Sequence, residues 1–415
     1  MYKRQVPESV AELVRSRVAA VSEGARQVLA ASAVLGTSFD LEAVRETCGR
    51  SEEETIAALE EVERRGLLIE QDESYAFAHE SMRNVIYADT SLARRRLLHR
   101  RAAEALAARS PRERAERAVV IAEHYALAGR DAEAAEYHRL AGERARELLA
   151  PAEAVVHFQA ALALGHPDEA ELHEAAGELL TLLGEYGPAI ASLEAAAALA
   201  TEPTQLGRIE HELGAVHHRR GEWDLAGARY EAAAAALAHD DARLARVEAD
   251  RSLNEHRRGR AAAAAELARH ALELAEQAGD TAALAQAHNI LGILAASRGA
   301  LDEARVELRR SLELAGVLDD PRARVAALNN LAFVERAEGN LPQAVALTRE
   351  ALVLCAAQGD RHREAALRNN LADQLHAVGE SDEAMEELKR AVAIFAEIGA
   401  DAGEAQAEIW KLVEW

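Results

Sequence analysis

The stretch "ALNNLAFVERAEGNLPQA" (Ala327–Ala344) is echoed by "LRNNLADQLHAVGESDEA" (Leu367–Ala384), 40 residues later. Both read as helix, Gly-containing turn, helix, and both carry Asn-Asn at one place although Asn is a mediocre helix former. The echo extends in both directions. A small residue, a turn seven positions on and an Ala five positions further recur as Gly177, Gly184, Ala189, then Gly214, Gly221, Ala226, then Ser252, Gly259, Ala264. They recur again as Gly292, Gly299, Ala304, then Ala332, Gly339, Ala344, then Ala372, Gly379, Ala384, with Gly142, Leu149, Ala154 as a degenerate first member. A fixed period in packing residues is the signature of a stacked repeat array.

Each element of the pattern has a physical reading. Small residues belong where paired helices approach closely. The Gly ends the first helix because it takes a left-handed C-cap at little cost. Asp240, Asp280, Asp320 and Asp360, each 40 residues from the last, fall just before a new helix, where a carboxylate caps free N–H groups. The chain of 415 residues is too long for one ordinary core, and a core growing along one axis solves that problem. Hydrophobic residues make up 49% but aromatics only 4%, so closely packed, Ala-rich helices are expected rather than a sheet.

The Leu-small pairs Leu213-Gly214, Leu291-Gly292, Leu331-Ala332 and Leu371-Ala372, with the turn Gly and following Ala, resemble the tetratricopeptide repeat family over roughly residues 115–398. The resemblance implies a right-handed α-solenoid whose first helices line a concave face. The spacing, which grows from 35 to 40 residues, implies helices longer than the family's usual ones. The family's Pro at the end of each unit is missing. A long helix from about Asp131 to Leu149 is expected to serve two overlapping phases. The final stretch, with Trp410 and Trp415 at amphipathic spacing, reads as a capping helix over residues 399–415, which favours a monomer.

On this geometry Asn289, Asn329 and Asn369, each two positions before the core Leu, form a ladder. It either projects into the groove and holds the backbone of an extended ligand, or bonds neighbouring helices and fixes their stacking. Upstream, His211, His218 and Arg219 fall beside Arg246, His256 and Arg257. This basic stretch in a chain of net charge −23 either receives an acidic ligand or pairs with nearby Glu residues.

Residues 1–105 lack the repeat, and residues 106–150 link them to the array at 151–398. Helices are expected at Pro7–Ala20, Glu23–Leu35, Leu41–Cys48 and Ser51–Arg65, then a hairpin of Leu67–Glu70 with Tyr75–Ala78. This is a winged-helix pattern. Its would-be recognition helix holds six Glu against two Arg, the wrong sign for a phosphate backbone, so no nucleic-acid partner is expected. The segment resembles the winged-helix module of STAND-class signal-transduction ATPases, including large LuxR-type regulators, through Pro7-Glu8-Ser9-Val10, Phe77-Ala78-His79-Glu80 and the Arg-rich helix Arg94–Arg101. The resemblance implies that His79 reaches the phosphates of ADP or ATP bound to an ATPase domain upstream in the same polypeptide.

None of the three lysines, Lys3, Lys389 and Lys411, has a P-loop context, and no catalytic constellation stands out. The chain is therefore expected to be non-enzymatic and to carry no cofactor of its own. Cys48 and Cys355 lack metal-type spacing and read as reduced thiols of a cytoplasmic protein. No signal peptide or membrane span is evident. The expected role is the sensor arm of a STAND-type regulator, with a protein, peptide or small-molecule inducer in the concave groove. The alternative is a stand-alone scaffold, and a DNA-binding regulator is disfavoured by charge.

Overall fold

The computed structural model describes residues 8–72 and 74–398. These residues form two compact units. One runs to Arg144 and includes His157–Pro167; the other takes Ala145–Val156 and the chain from Asp168 onward. The expected capping segment with Trp410 and Trp415 lies outside the described residues.

The first unit holds α1 (Glu8–Ala19), α2 (Glu23–Leu35), β1 (Ser38–Phe39), α3 (Leu41–Cys48), α4 (Glu52–Arg64), β2 (Leu68–Gln71), β3 (Ser74–Phe77), α5 (Glu80–Asp89), α6 (Leu92–Ala107), α7 (Pro111–Glu116) and α8 (Ala118–Ala128). The helices and hairpin match the sequence reading to within a residue or two. The added feature is β1, which pairs antiparallel with β3 and gives a three-stranded sheet in the order β1-β3-β2. Phe39 meets Phe77 edge to face at 5.9 Å, closing the core of Leu29, Val44, Leu59, Val62 and Leu67 beneath the sheet. Ser51 and Glu54 form a reciprocal capping box at the start of α4, while Ser22 is held by Glu61 at 2.6 Å.

Helices α9 (Asp131–Glu147) and α10 (Pro151–Ala163) precede the array of the second unit. That array is made of helix pairs: α11 (Glu169–Leu183) with α12 (Tyr186–Leu199), α13 (Pro203–Arg219) with α14 (Trp223–Ala236), and α15 (Asp241–Arg257) with α16 (Ala261–Ala278). Then come α17 (Thr281–Ser297) with α18 (Leu301–Val317), α19 (Pro321–Ala337) with α20 (Leu341–Gln358), and α21 (Arg361–Val378) with α22 (Ser381–Glu397).

The packing residues occupy the places their repetition implies. Ala189, Ala226, Ala264, Ala304, Ala344 and Ala384 are all fully buried. Gly214 lies against Tyr230 of the paired helix so closely that a Cβ would stand 2.5 Å from the ring, and Gly177 and Gly292 meet Leu193 and Leu308 in the same way. All six turn glycines have positive φ, and Leu149 takes the left-handed conformation at the degenerate position. Asp240, Asp280, Asp320 and Asp360 each accept a backbone N–H of the helix that follows, at 2.7–3.2 Å.

The array of the second unit also closes on itself. Tyr186 of α12 meets His362 of α21 with Oη and Nδ1 2.7 Å apart. Arg219 of α13 donates both terminal nitrogens to Asp360 at 2.9 Å. The turn at Gly184 abuts Ile398, just beyond α22. The first and last pairs of helices α11–α22 are thereby brought together, and the concave face becomes the wall of a cavity.

Candidate functional site: the cavity of the repeat array

The cavity has a volume of about 750 Å³ and is walled mainly by the first helix of five successive pairs, α13 to α21. It lies in the range of small-ligand sites. One part of the wall is polar: His218 and Arg219 from α13, Asp250, His256 and Arg257 from α15, and His362 and Arg363 from α21. Asn289, Asn329 and Asn330 follow, and Ile293, Val325 and Phe333 give an apolar surface. Phe333 is 45% exposed although it is a large aromatic residue.

Of the Asn ladder, Asn289 and Asn329 line this cavity. Neither simply projects: Asn330 donates to Asn289 at 2.9 Å and Asn370 donates to Asn329 at 3.0 Å. The second Asn of each Asn-Asn pair therefore bridges back to the first Asn of the preceding repeat, and the ladder ties neighbouring helices while it faces the cavity. Asn369 is not part of the cavity lining, and its Oδ1 is buried without a hydrogen-bond partner. Sequence reasoning missed Asn330 and Asn370, which stand beside the residues it singled out.

The basic stretch separates into paired groups. His211 meets Asp250 at 2.7 Å, and Gln286 donates to the other carboxylate oxygen at 2.8 Å, so both oxygens of Asp250 are engaged. His218 approaches Asn254 and stacks edge-on against Trp223, and burial holds its imidazole below the ordinary histidine range. Arg219 is committed to Asp360. His256 and Arg257 line the cavity, while His211 and Arg246 stand outside its wall. His362 is pushed down to about 4, first by burial and then by the nearby Arg219, so it is neutral at physiological pH. Burial also pushes Cys355, behind α21, up to about 12, which makes it an inert thiol.

In the first unit His79 is exposed and caps α5: its Nδ1 accepts the backbone N–H of Ser81 at 3.2 Å and lies 2.8 Å from the Ser81 hydroxyl. With Nδ1 the acceptor, the ring's proton sits on Nε2, on the side away from this cap. The Arg-rich helix α6 puts Arg101 on the carbonyl of Cys48 at 3.0 Å and Arg95 over the ring of Tyr87 at 5.1 Å. The acidic residues Glu52, Glu53, Glu60 and Glu63 of α4 are exposed. Among the described residues no helix is long and apolar enough to cross a membrane, and no group of three or more metal-ligating side chains occurs.

Helix pairs with this spacing, stacked around a concave cavity, define an α-solenoid of tetratricopeptide type. Residues 324–397 match the tetratricopeptide repeat family. No curated protein sequence matches the chain. Among solved structures it is similar to a signal-transduction ATPase with numerous domains (STAND) that carries a tetratricopeptide repeat sensor, from Pyrococcus horikoshii. There the identity is 13% and the TM-score 0.50, over 100% of this chain and 66% of that protein, so this chain spans about two thirds of its length. It is also similar to a Rap protein complexed with competence and sporulation factor, with 13% identity, TM-score 0.53, and 94% and 99% of the two chains covered. A third likeness is to the Rap conjugation regulator of the plasmid pLS20 in complex with a Phr peptide, with 14% identity, TM-score 0.53, and 85% and 92% covered.

Proposed function

We propose that the repeat unit is a ligand-sensing solenoid that takes a short peptide or small molecule into its central cavity. The observation that carries this reading is the closed array: a cavity of about 750 Å³ with a polar side, a row of amides and an exposed Phe333. A purely structural stack would gain by filling such a space, because unfilled apolar lining forfeits packing. The likeness to Rap structures in complex with peptides supports the same reading.

The first unit, in this proposal, is a winged-helix arm, and the chain is the sensing part of a STAND-type regulator working in the cytoplasm without catalysis of its own. Support comes from the element order of the first unit and the likeness over the whole chain to a STAND protein with a repeat sensor. His79, exposed with Nε2 outward, is the residue that would reach a nucleotide phosphate on an adjoining ATPase domain.

A thermal-shift screen of short peptides and metabolites on the intact chain tests the sensing role, with Ala326→Trp as the control that fills the cavity from its wall. The expected result is a ligand that raises the melting temperature of the parent and leaves Ala326→Trp unmoved. Ligands that shift both proteins equally would refute a cavity site. The regulatory role is tested by the reading frame ahead of residue 1: an in-frame P-loop ATPase supports it, and a stop codon followed by a promoter refutes it.

A further inference from the structure

The cavity holds a cation whose hydrogen-bonding capacity is largely unused. Arg363 lines the wall, and among the described residues its guanidinium, with five N–H groups, finds only the carbonyl of Arg322 at 3.4 Å and a carboxylate oxygen of Asp360 at 3.9 Å. Asp360 is already the bidentate acceptor of Arg219 and accepts the backbone N–H of Arg363. Asp250, the carboxylate that does line the wall, has both oxygens engaged by His211 and Gln286.

The charge around Arg363 is unbalanced as well. Partial burial disfavours its ionised form, as do the nearby Arg219 and Arg322, and Asp360 counters them, while 36% of the side chain's surface remains exposed. Guanidiniums keep their charge in proteins, so the imbalance is met by water or by a ligand acceptor rather than by loss of a proton. The same cavity is lined by the exposed Phe333 and by Ile293, which together give it an apolar surface.

We propose that the cavity takes a small amphipathic carboxylate, its charge met by the guanidinium fork of Arg363 and its apolar part lying on Phe333 and Ile293. A planar carboxylate matches the two parallel N–H groups of a guanidinium, which a single-point anion does not. The amide donors of Asn289, whose Oδ1 alone is engaged among the described residues, are available to an adjoining carbonyl. The carboxylate belongs either to a free organic acid or to the C-terminus of a short peptide. This inference rests on the sensing role proposed above and gives it a ligand chemistry.

The test is isothermal titration of the intact chain with two matched pairs: N-acetyl-leucine against N-acetyl-leucinamide, and an acetylated tetrapeptide ending in leucine as free acid against its amide. Each acid is expected to bind at least about tenfold more tightly than its amide, a difference of about 1.4 kcal/mol. Arg363→Gln should bring the acids down to the amides, Arg363→Lys should restore part of the preference, and Phe333→Ala should weaken acid and amide alike. Melting of each variant separates lost binding from lost fold. A peptide acid far tighter than N-acetyl-leucine identifies a C-terminus as the source, and equal affinities identify a free acid. Acid and amide binding equally, a preference that survives Arg363→Gln, or no binding of either acid at millimolar concentration would overturn the proposal. An amidated peptide that binds the parent but not Ala326→Trp would leave the sensing role standing while the anion fails.

Discussion

Arg219 and Asp360, 141 residues apart in the chain, meet as a bidentate ion pair at 2.9 Å and join the second and last helix pairs of the array. Asp360 is only 4% exposed, and the charge of Arg219 holds its carboxyl well below the usual range despite burial. Removing one partner of such a pair strands the other, so Arg219→Met is expected to destabilise the array by about 3–5 kcal/mol. Asp360→Asn retains a side chain able to cap α21. The double variant Arg219→Met/Asp360→Asn should cost clearly less than the two single changes together, as read by urea denaturation. Strict additivity would mean that the pair contributes nothing to closure. Because the folded carboxyl is depressed, this contribution is fully present above about pH 4, the unfolded value, and is lost as pH falls below it.

The close approach of α13 and α14 gives a second expectation. A Cβ at Gly214 would meet the buried ring of Tyr230 at 2.5 Å, and the misfit of about 1–3 kcal/mol should outweigh the gain of up to ~1 kcal/mol in helix propensity. Gly316, in α18, has nothing within 4 Å of the same position. Gly316→Ala should therefore raise the melting temperature while Gly214→Ala lowers it. Equal shifts would show that close approach does not set the small residue.

These packing positions were legible in the sequence because each is decided within one helix pair. The helices of the first unit, the left-handed turns and the four capping aspartates were legible for the same reason: short-range chemistry fixes them. Strand β1 was not, because two residues carry no periodicity and Ser38–Phe39 becomes a strand only by pairing with Tyr75 and Ala76. Closure was not legible either. Asp360 has the sequence context of Asp240, Asp280 and Asp320, and only the accumulated turn of the array brings Arg219 to it. The basic stretch read as a possible anion site for that reason, whereas Arg219 and His211 are consumed by carboxylates from other helices, and Arg363, which the stretch did not include, has few partners among the described residues.

A histidine pair in the first unit makes that unit sensitive to mild acid. His99 and His124 are buried with their Nδ1 atoms 2.8 Å apart, and Tyr87 bonds the far side of His99 at 2.9 Å. Burial, and for His99 also the neighbouring imidazole, pushes both down from 6.5 to about 4. Between those values the unfolded chain binds protons that the folded unit does not, so stability should fall as pH drops from 6.5 to about 4 and be indifferent to these groups above 6.5. Melting of the first unit against pH checks the slope. His124→Phe should reduce it by about half, and an unchanged slope would assign it to other groups.

His79 gives an expectation separable from any nucleotide. Because its Nδ1 caps α5, His79→Ala should destabilise the first unit by about 0.5–2 kcal/mol, whereas His79→Asn, itself a capping residue, should recover most of the loss. Denaturation of the three proteins decides it. If Asn and Ala behave alike, the cap contributes nothing and the residue's value lies elsewhere.

The adjacent residues Asn369 and Asn370 should respond in opposite directions. Asn370 donates to Asn329 across the repeat boundary, so Asn370→Ala loses a bond worth about 0.5–1.5 kcal/mol net and leaves the Oδ1 of Asn329 without its donor. Asn369 instead has its Oδ1 buried with no partner, and such an atom carries a desolvation cost of about 1–3 kcal/mol. Asn369→Ala removes that cost and places a better helix former in the middle of α21. It should therefore stabilise the array, while Asn370→Ala weakens it or leaves it level once helix propensity is counted. Urea denaturation of the two single variants and the double variant tests this directly. Destabilisation by Asn369→Ala would mean that the buried oxygen is satisfied in solution, and stabilisation by Asn370→Ala as large as by Asn369→Ala would remove the ladder from the list of forces that hold the repeats in register.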